Sequence, residues 1–421
     1  MSLPEPVPGP RHRRRARAAA LAAAATTLSG CSLLASPTPP PAAGPSLAPP
    51  GALGYVVCPT AVTPVELTTH TAEADIPLPV RGTPALGDFA IATSPDGRWA
   101  YVVTSDGVES HSAPSASSTP PAVSGAASSA VGTSSTTPSG VALQNVLIPI
   151  DLVTQQAGAP IRIPGQGGTH AVVVLPGGRT VLAASGSSIV PVDTTTRRVG
   201  NPLDLGPGRT IFGMALDPGT PTVYALVAGG VFPVDTSDAT AGVEIPTGLS
   251  VSSVYSPHGI DVSPDGRTVY VVGQGGTDFG GRLLPIVAAT GTTQPAAGFD
   301  RFGIADPAAL AVTEDGSQVV VADAANNWIN PVPVASFSDP PPPVRLPDGP
   351  SGAPRSGTSP SGTSPSGTAH PTDIVMGPGA TGAFVVDGFD TVLPYAPGDR
   401  SFGRPIPVCS GASSMAVGPA P

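Results

Sequence analysis

The chain has 421 residues, 40% hydrophobic, 4% aromatic and only 11% charged, with a net charge of −10. All 19 basic residues are Arg; residues 1–30 hold five of them and one Glu, so the remainder carries −14, and an acidic chain with no later basic cluster argues against nucleic acid as a partner. Gly (52) and Pro (56) make about a quarter of the chain, a level that goes with turn-rich or unstructured sequence rather than helices.

The first element is an address. "RHRRRARAAALAAAATTLSGC" (11–31) has a basic start, a short apolar run and small residues before a Cys. The run is too short to span a bilayer, so residues 1–30 read as an export signal peptide. Its end, Leu28-Ser29-Gly30-Cys31, resembles a bacterial lipobox. That resemblance implies a lipid on the Cys31 sulfur, a mature protein that begins there, and a place on the membrane facing away from the cytoplasm. Ordinary secretion with an incidental Cys is the alternative. Residues 31–50, with "SLLASPTPPPAAGPSLAPP", are Pro-rich and nearly uncharged, which predicts an extended tether.

From residue 51 onward a unit of about 45 residues recurs. It reads as an apolar strand, a "PDG"-like turn, a second apolar strand, a gap, a "VPVD"-like strand, a turn, and a strand interrupted by Pro. Six copies begin at "FAIATSPDGRWAYVVTS" (89–105), "AVVVLPGGRTVLAAS" (171–185), "GMALDPGTPTVYALVA" (213–228), "GIDVSPDGRTVYVVG" (259–273), "AALAVTEDGSQVVVADA" (308–324) and "DIVMGPGATGAFVVDG" (373–388). In the turn Pro presets φ and Gly accepts a positive φ. Asp151, Asp193 and Asp235 close "PIDLVT", "PVDTTT" and "PVDTSD", where an Asp side chain bonds the backbone just ahead; they read as structural. Tandem four-stranded antiparallel units with almost no helical periodicity predict an all-β fold, a β-propeller.

Two fragments are left over. The C-terminal "SSMAVGP" (413–419) matches a first strand, and the N-terminal "GYVVC" (54–58), "AVTPVELTT" (61–69) and "ADIPLPV" (74–80) match strands two to four. Together they predict a seventh, composite blade that closes the ring. Cys58 ends its second strand. Cys409 precedes its innermost strand, the antiparallel neighbour of that second strand. The two Cys are therefore expected on one face of the disc, near each other. In an oxidising compartment they are expected to form a disulfide, leaving no odd Cys once Cys31 carries lipid.

The repeats resemble the YVTN family of seven-bladed propellers, related to lactonase-like and nitrite-reductase-type propellers. The likeness is carried by "SPDGRWAYVVTS" (94–105) and "SPDGRTVYVVG" (263–273) and covers about residues 52–419. It implies the fold; propellers of this kind serve as surface proteins, binding platforms and sometimes enzymes.

Two insertions interrupt the 51–421 domain. Residues 109–140 separate a second strand from a third, and residues 349–369, with "SGTSPSGTSPSGT", separate two blades. Both are low in apolar content and are expected to be disordered, with Ser and Thr beside Pro open to O-glycosylation. Loops of these two classes open on one propeller face, opposite the tight "PDG" turns. Function tends to sit on such loops, although loops there also tolerate drift.

The chemistry-bearing residues are few. No nucleophile elbow, phosphate loop, Cys-x-x-Cys or His-Glu-x-x-His pattern occurs. His170, His258 and His370 precede innermost strands, and with Asp88, Asp261 and Asp373 they form the candidate binding set at the channel mouth; Asp306 is a further acid nearby. Converging His and carboxylates bind zinc or calcium; the plainer reading is that they cap strand ends, and no cofactor is predicted. Trp99 and Trp328 are expected to pack between blades. The leading expectation is a monomeric, lipid-anchored extracytoplasmic scaffold that binds a protein or a cell-envelope polymer. The alternatives are a lactonase-like hydrolase or metal-dependent enzyme at the channel, and a purely structural surface protein.

Overall fold

The structure, a computed structural model, describes residues 52–80, 89–109, 141–165, 168, 171–251, 259–275, 280–299, 306–347, 370–379 and 382–419, the side chains of 107–109 and 141–143 excepted. The signal and tether regions, Cys31, Asp88, His170, His258 and both insertions beyond residue 109 lie outside the described residues.

The described residues form seven antiparallel sheets. Blades 1 to 6 follow the six repeats in order, with inner strands Ala90–Thr93, Val172–Val174, Ile211–Leu216, Ile260–Val262, Pro307–Val312 and Asp373–Met376. Blade 7 is composite: its inner strand is Ser414–Gly418, and Leu53–Cys58 and Ala61–Glu66 follow outward. Tyr55 faces Ala416 in register. Each inner strand touches the inner strands on both sides, and Ser414–Gly418 meets both Asp373–Met376 and Ala90–Thr93, which closes the ring of seven. The protein is a seven-bladed β-propeller.

Strand alternation places the core between blades. One face of each sheet packs on the preceding blade and the other on the following one, so buried side chains gather in seven clusters, one per boundary. Tyr55, Val57 and Ile76 of blade 7, for example, meet Ile91, Val102 and Ile148 of blade 1. Burial of each such Val or Ile stabilises by about 1.5–3 kcal/mol. Trp99 joins the blade 1–2 cluster and Trp328 the blade 4–5 cluster.

The outermost strand departs from the expected continuous form. In five blades it is two pieces of two residues each, such as Gln156–Ala157 and Ile161–Arg162 in blade 1. A Pro in the third strand explains the break. Pro149 pairs with Tyr101 on its inner side, and its carbonyl accepts the Gly158 N–H at 2.7 Å, but it has no N–H to return. The same bond recurs at Pro64, Pro191, Pro233, Pro285 and Pro394.

The "SPDG" hairpins are cross-braced. In blade 1 the Ser94 hydroxyl donates to Asp96 and accepts the Trp99 N–H, while Asp96 accepts the Arg98 N–H. Gly97 sits at φ +70°, and a Cβ there would fall 2.4 Å from the Pro419 carbonyl oxygen, so both turn geometry and ring closure demand Gly. Asp151, Asp193 and Asp235 accept N–H bonds from Val153, Thr196 and Ser237, in the turn-bracing role expected of them.

The structure joins Cys58 and Cys409 in a disulfide, with Cα atoms 6.0 Å apart across a sequence separation of 351. The Cys409 N–H also donates to the Thr63 hydroxyl of blade 7 at 3.1 Å. The staple therefore holds the C-terminal approach segment against strands supplied by the N-terminal part of the domain.

Candidate functional site

Inner strands have one edge with no strand partner, and that edge faces the channel. Its N–H groups need acceptors. Asp261 and Asp373 meet part of this demand. Asp373 accepts the N–H of Ile374 at 2.7 Å and, with its other oxygen, that of Met415 in blade 7 at 2.8 Å. Asp261 repeats the device between blades 4 and 5, accepting Val262 N–H at 2.8 Å and Val312 N–H at 2.9 Å. Both carboxylates bridge neighbouring blades through backbone.

The two acids lie at different depths. Aligned on their tight turns, Asp373 is two residues farther from the turn than Asp261. Asp373 is fully buried, whereas Asp261 borders a cavity of about 270 Å³ at the turn-facing ends of the inner strands of blades 3 to 6. Met214, Leu216, Leu310, Val312, Ile374 and Met376 line that cavity. Nothing in the repeat pattern marks it, because it depends on which side chains four separate strands bring to one depth.

On the opposite face, blades 5 and 6 bring Asp306, Asp323 and His370 into one neighbourhood. The N–H of Ala324 donates to the Asp306 carbonyl at 3.0 Å, and His370 Nδ1 lies 3.0 Å from the Ala324 carbonyl. A carbonyl only accepts, so that ring nitrogen carries the hydrogen. The imidazole also lies 6.1 Å from the Phe389 ring. Burial, reinforced by the negative charge of Asp323, pushes the Asp306 carboxyl above the usual carboxylate range. Asp323 is itself buried and accepts the N–H groups of Asp306 and Ala325 and the side-chain amide of Asn326. Of the candidate set, His370, Asp261 and Asp373 are described; His370 is joined to Asp306 through the backbone of Ala324, and Asp261 lies with the turn-facing ends of the inner strands. Among the described residues, no three His, Cys, Asp or Glu side chains gather as metal ligands.

One residue escaped sequence reasoning. Asn330 is fully buried and neither side-chain polar atom has a hydrogen-bond partner. It precedes the third-strand Pro of blade 5, where other blades carry Thr63, Ile148, Val190, Phe232, Leu284 and Leu393. Aligning the repeats at that Pro would have exposed it.

No family model matches the chain, and no curated protein matches it. Solved structures do. A Kuenenia stuttgartiensis hydrazine synthase chain superposes with a TM-score of 0.54 at 14% identity, covering 83% of this chain and 90% of that one. A functionally unknown protein from Desulfotomaculum acetoxidans DSM 771 gives 0.55 at 13%, covering 88% and 99%. A protein titled "putative 6-phosphogluconolactonase" from Bacteroides uniformis ATCC 8492 gives 0.56 at 13%, covering 87% and 99%. Identities this low establish a shared fold and leave activity open.

Proposed function

We propose that this seven-bladed propeller is a binding or scaffold module, exported and held on the outer side of a membrane by lipid on Cys31. The observation that carries the binding reading is the commitment of Asp261 and Asp373 to backbone N–H groups of the next blade. Their carboxylates stiffen the channel wall, as a preformed binding surface requires. The Cys58–Cys409 disulfide fits an oxidising compartment. The test combines fractionation with mass spectrometry of the mature N-terminus. A diacylglyceryl group on Cys31, and release of the protein from membranes by Cys31→Ser, are the expected results. An unmodified Cys31 on a freely soluble protein would remove the anchor. For the binding role, the Cys31→Ser chain should be retained on isolated cell-envelope material at a saturable level, and absence of saturation would reject it.

A second reading, a hydrolase at the channel mouth, is favoured by the raised Asp306 carboxyl, by His370 joined to Asp306 through the backbone of Ala324, and by the lactonase title of one structural neighbour. A carboxyl whose proton is held more tightly than usual is suited to general acid work. If it holds, Asp306→Asn should abolish turnover of a sugar lactone without loss of folding.

A further inference from the structure

The cavity between blades 3 and 6 lies on the tight-turn side, away from the elaborated loops. Its lining side chains are aliphatic or thioether, and Asp261 is the one charged side chain in the lining among the described residues. That carboxylate is already engaged. It accepts the N–H groups of Val262 and Val312, from two different blades, and takes part in a further interaction besides. The wall therefore offers an occupant no spare charge. It offers aliphatic surface and the open edges of the inner strands, whose backbone groups are neutral. An uncharged alkyl chain ending in a hydroxyl complements both, because a hydroxyl donates and accepts. At about 30 Å³ per heavy atom, the volume share of a water molecule, the cavity of about 270 Å³ holds roughly nine heavy atoms.

Chain direction sets this face apart in a second way. In blade 1 the second strand leaves the tight turn at Trp99; its counterpart in blade 7 begins at Leu53, paired with Gly418 at the turn end of the inner strand. The chain that precedes residue 52 therefore joins the propeller on the face that carries the cavity. An anchor on Cys31 is thus tethered to that face, and a membrane is a source of alkyl chains.

We propose that this cavity binds an uncharged alkyl chain of about eight carbons, lying along Met214, Leu216, Leu310 and Met376. The site deepens the binding-module reading and rests on it. Octanol is the matching probe. Titration calorimetry on the purified full chain carrying Cys31→Ser should give one saturable site per chain with a negative heat-capacity change. Shortening the probe to butanol should weaken binding by roughly fourfold per methylene removed. Octylammonium should bind no more tightly than octanol, since Asp261 is engaged by the wall. Leu216→Phe narrows the cavity without touching the Asp261 bonds and should weaken octanol at least about tenfold; Met376→Phe serves if that variant fails to fold. Competition by neutral monooctanoylglycerol would identify the acyl chain of a lipid as the source, and binding of octanol alone a free aliphatic alcohol. No saturable heat, indifference to chain length, a preference for octylammonium, or a folded filling variant that binds octanol as the wild type does would overturn the proposal. Envelope retention does not involve octanol: retention with a silent titration sinks this site alone, and loss of retention sinks the broader reading.

Discussion

The carboxylate of Asp373 accepts the Met415 N–H at 2.8 Å, tying blade 6 to the strand that the C-terminus adds to blade 7. Its second oxygen takes Ile374 N–H, and the residue is fully buried. Replacing Asp373 by Asn keeps one acceptor and turns an NH₂ group against the other N–H. Two donors then face each other without water. Asp373→Asn should destabilise the fold by about 2–3 kcal/mol, seen as a lower urea midpoint with an unchanged m-value.

The disulfide closes a loop of nearly the whole domain, with 351 residues separating Cys58 from Cys409. Chain-entropy arguments assign such a loop about 5–6 kcal/mol, and measured values usually fall short of that. The Cys58→Ser/Cys409→Ser double variant should lose at least about 2 kcal/mol. Reductant should lower the melting temperature of the wild type and leave the double variant unmoved.

A backbone feature recurs in the turn between third and fourth strands. Four residues beyond the third strand, His70, Gln155, Arg197, Ala239 and Arg400 hold φ between 52° and 57°, and blade 4 places Gly291 there at 65°. A side chain in this left-handed region costs roughly 1 kcal/mol. Ala239→Gly should therefore stabilise by about 0.5–1 kcal/mol, and Gly291→Ala should destabilise by a comparable amount or more. Paired thermal melts read both.

The pH response should split by residue. Asp315 is held down to about 2 by the Thr313 hydroxyl and by the Ser317 N–H and hydroxyl. Its folded value lies below the unfolded one of about 3.9, so its contribution is present above pH ~4 and disappears as pH falls toward ~2. Asp315→Asn should melt lower than wild type at pH 7 and converge with it near pH 2.

Asp306 has the opposite sign. Its carboxyl is raised by burial and by Asp323, so the folded state holds the proton more tightly than the unfolded chain. Stability is therefore lost as pH rises from about 4 through the folded value. Asp306→Asn should melt higher than wild type at pH 7, with the gain vanishing below pH ~4. A lower melting temperature at pH 7 would contradict the assignment.

Much of this molecule is written locally. Strand alternation has a period of two residues, and the "PDG" hairpin and the Asp151-type turns act within four or five. Blade number, blade order and the sharing of one blade between the chain ends could therefore be read along the sequence. The Cys58–Cys409 pairing followed from that strand order. Which groups the channel acids meet could not be read in this way. Asp261 and Val312 are 51 residues apart, and Asp373 and Met415 are 42 apart. Each pair meets only because neighbouring inner strands stand at matching depth in a closed ring. The Asp306–Asp323 pair, by contrast, belongs to the first two strands of one blade. The aliphatic cavity shares the origin of the channel pairs: it depends on side chains from several blades arriving at one level, a relation set by sheet twist and blade packing rather than by any short stretch of residues.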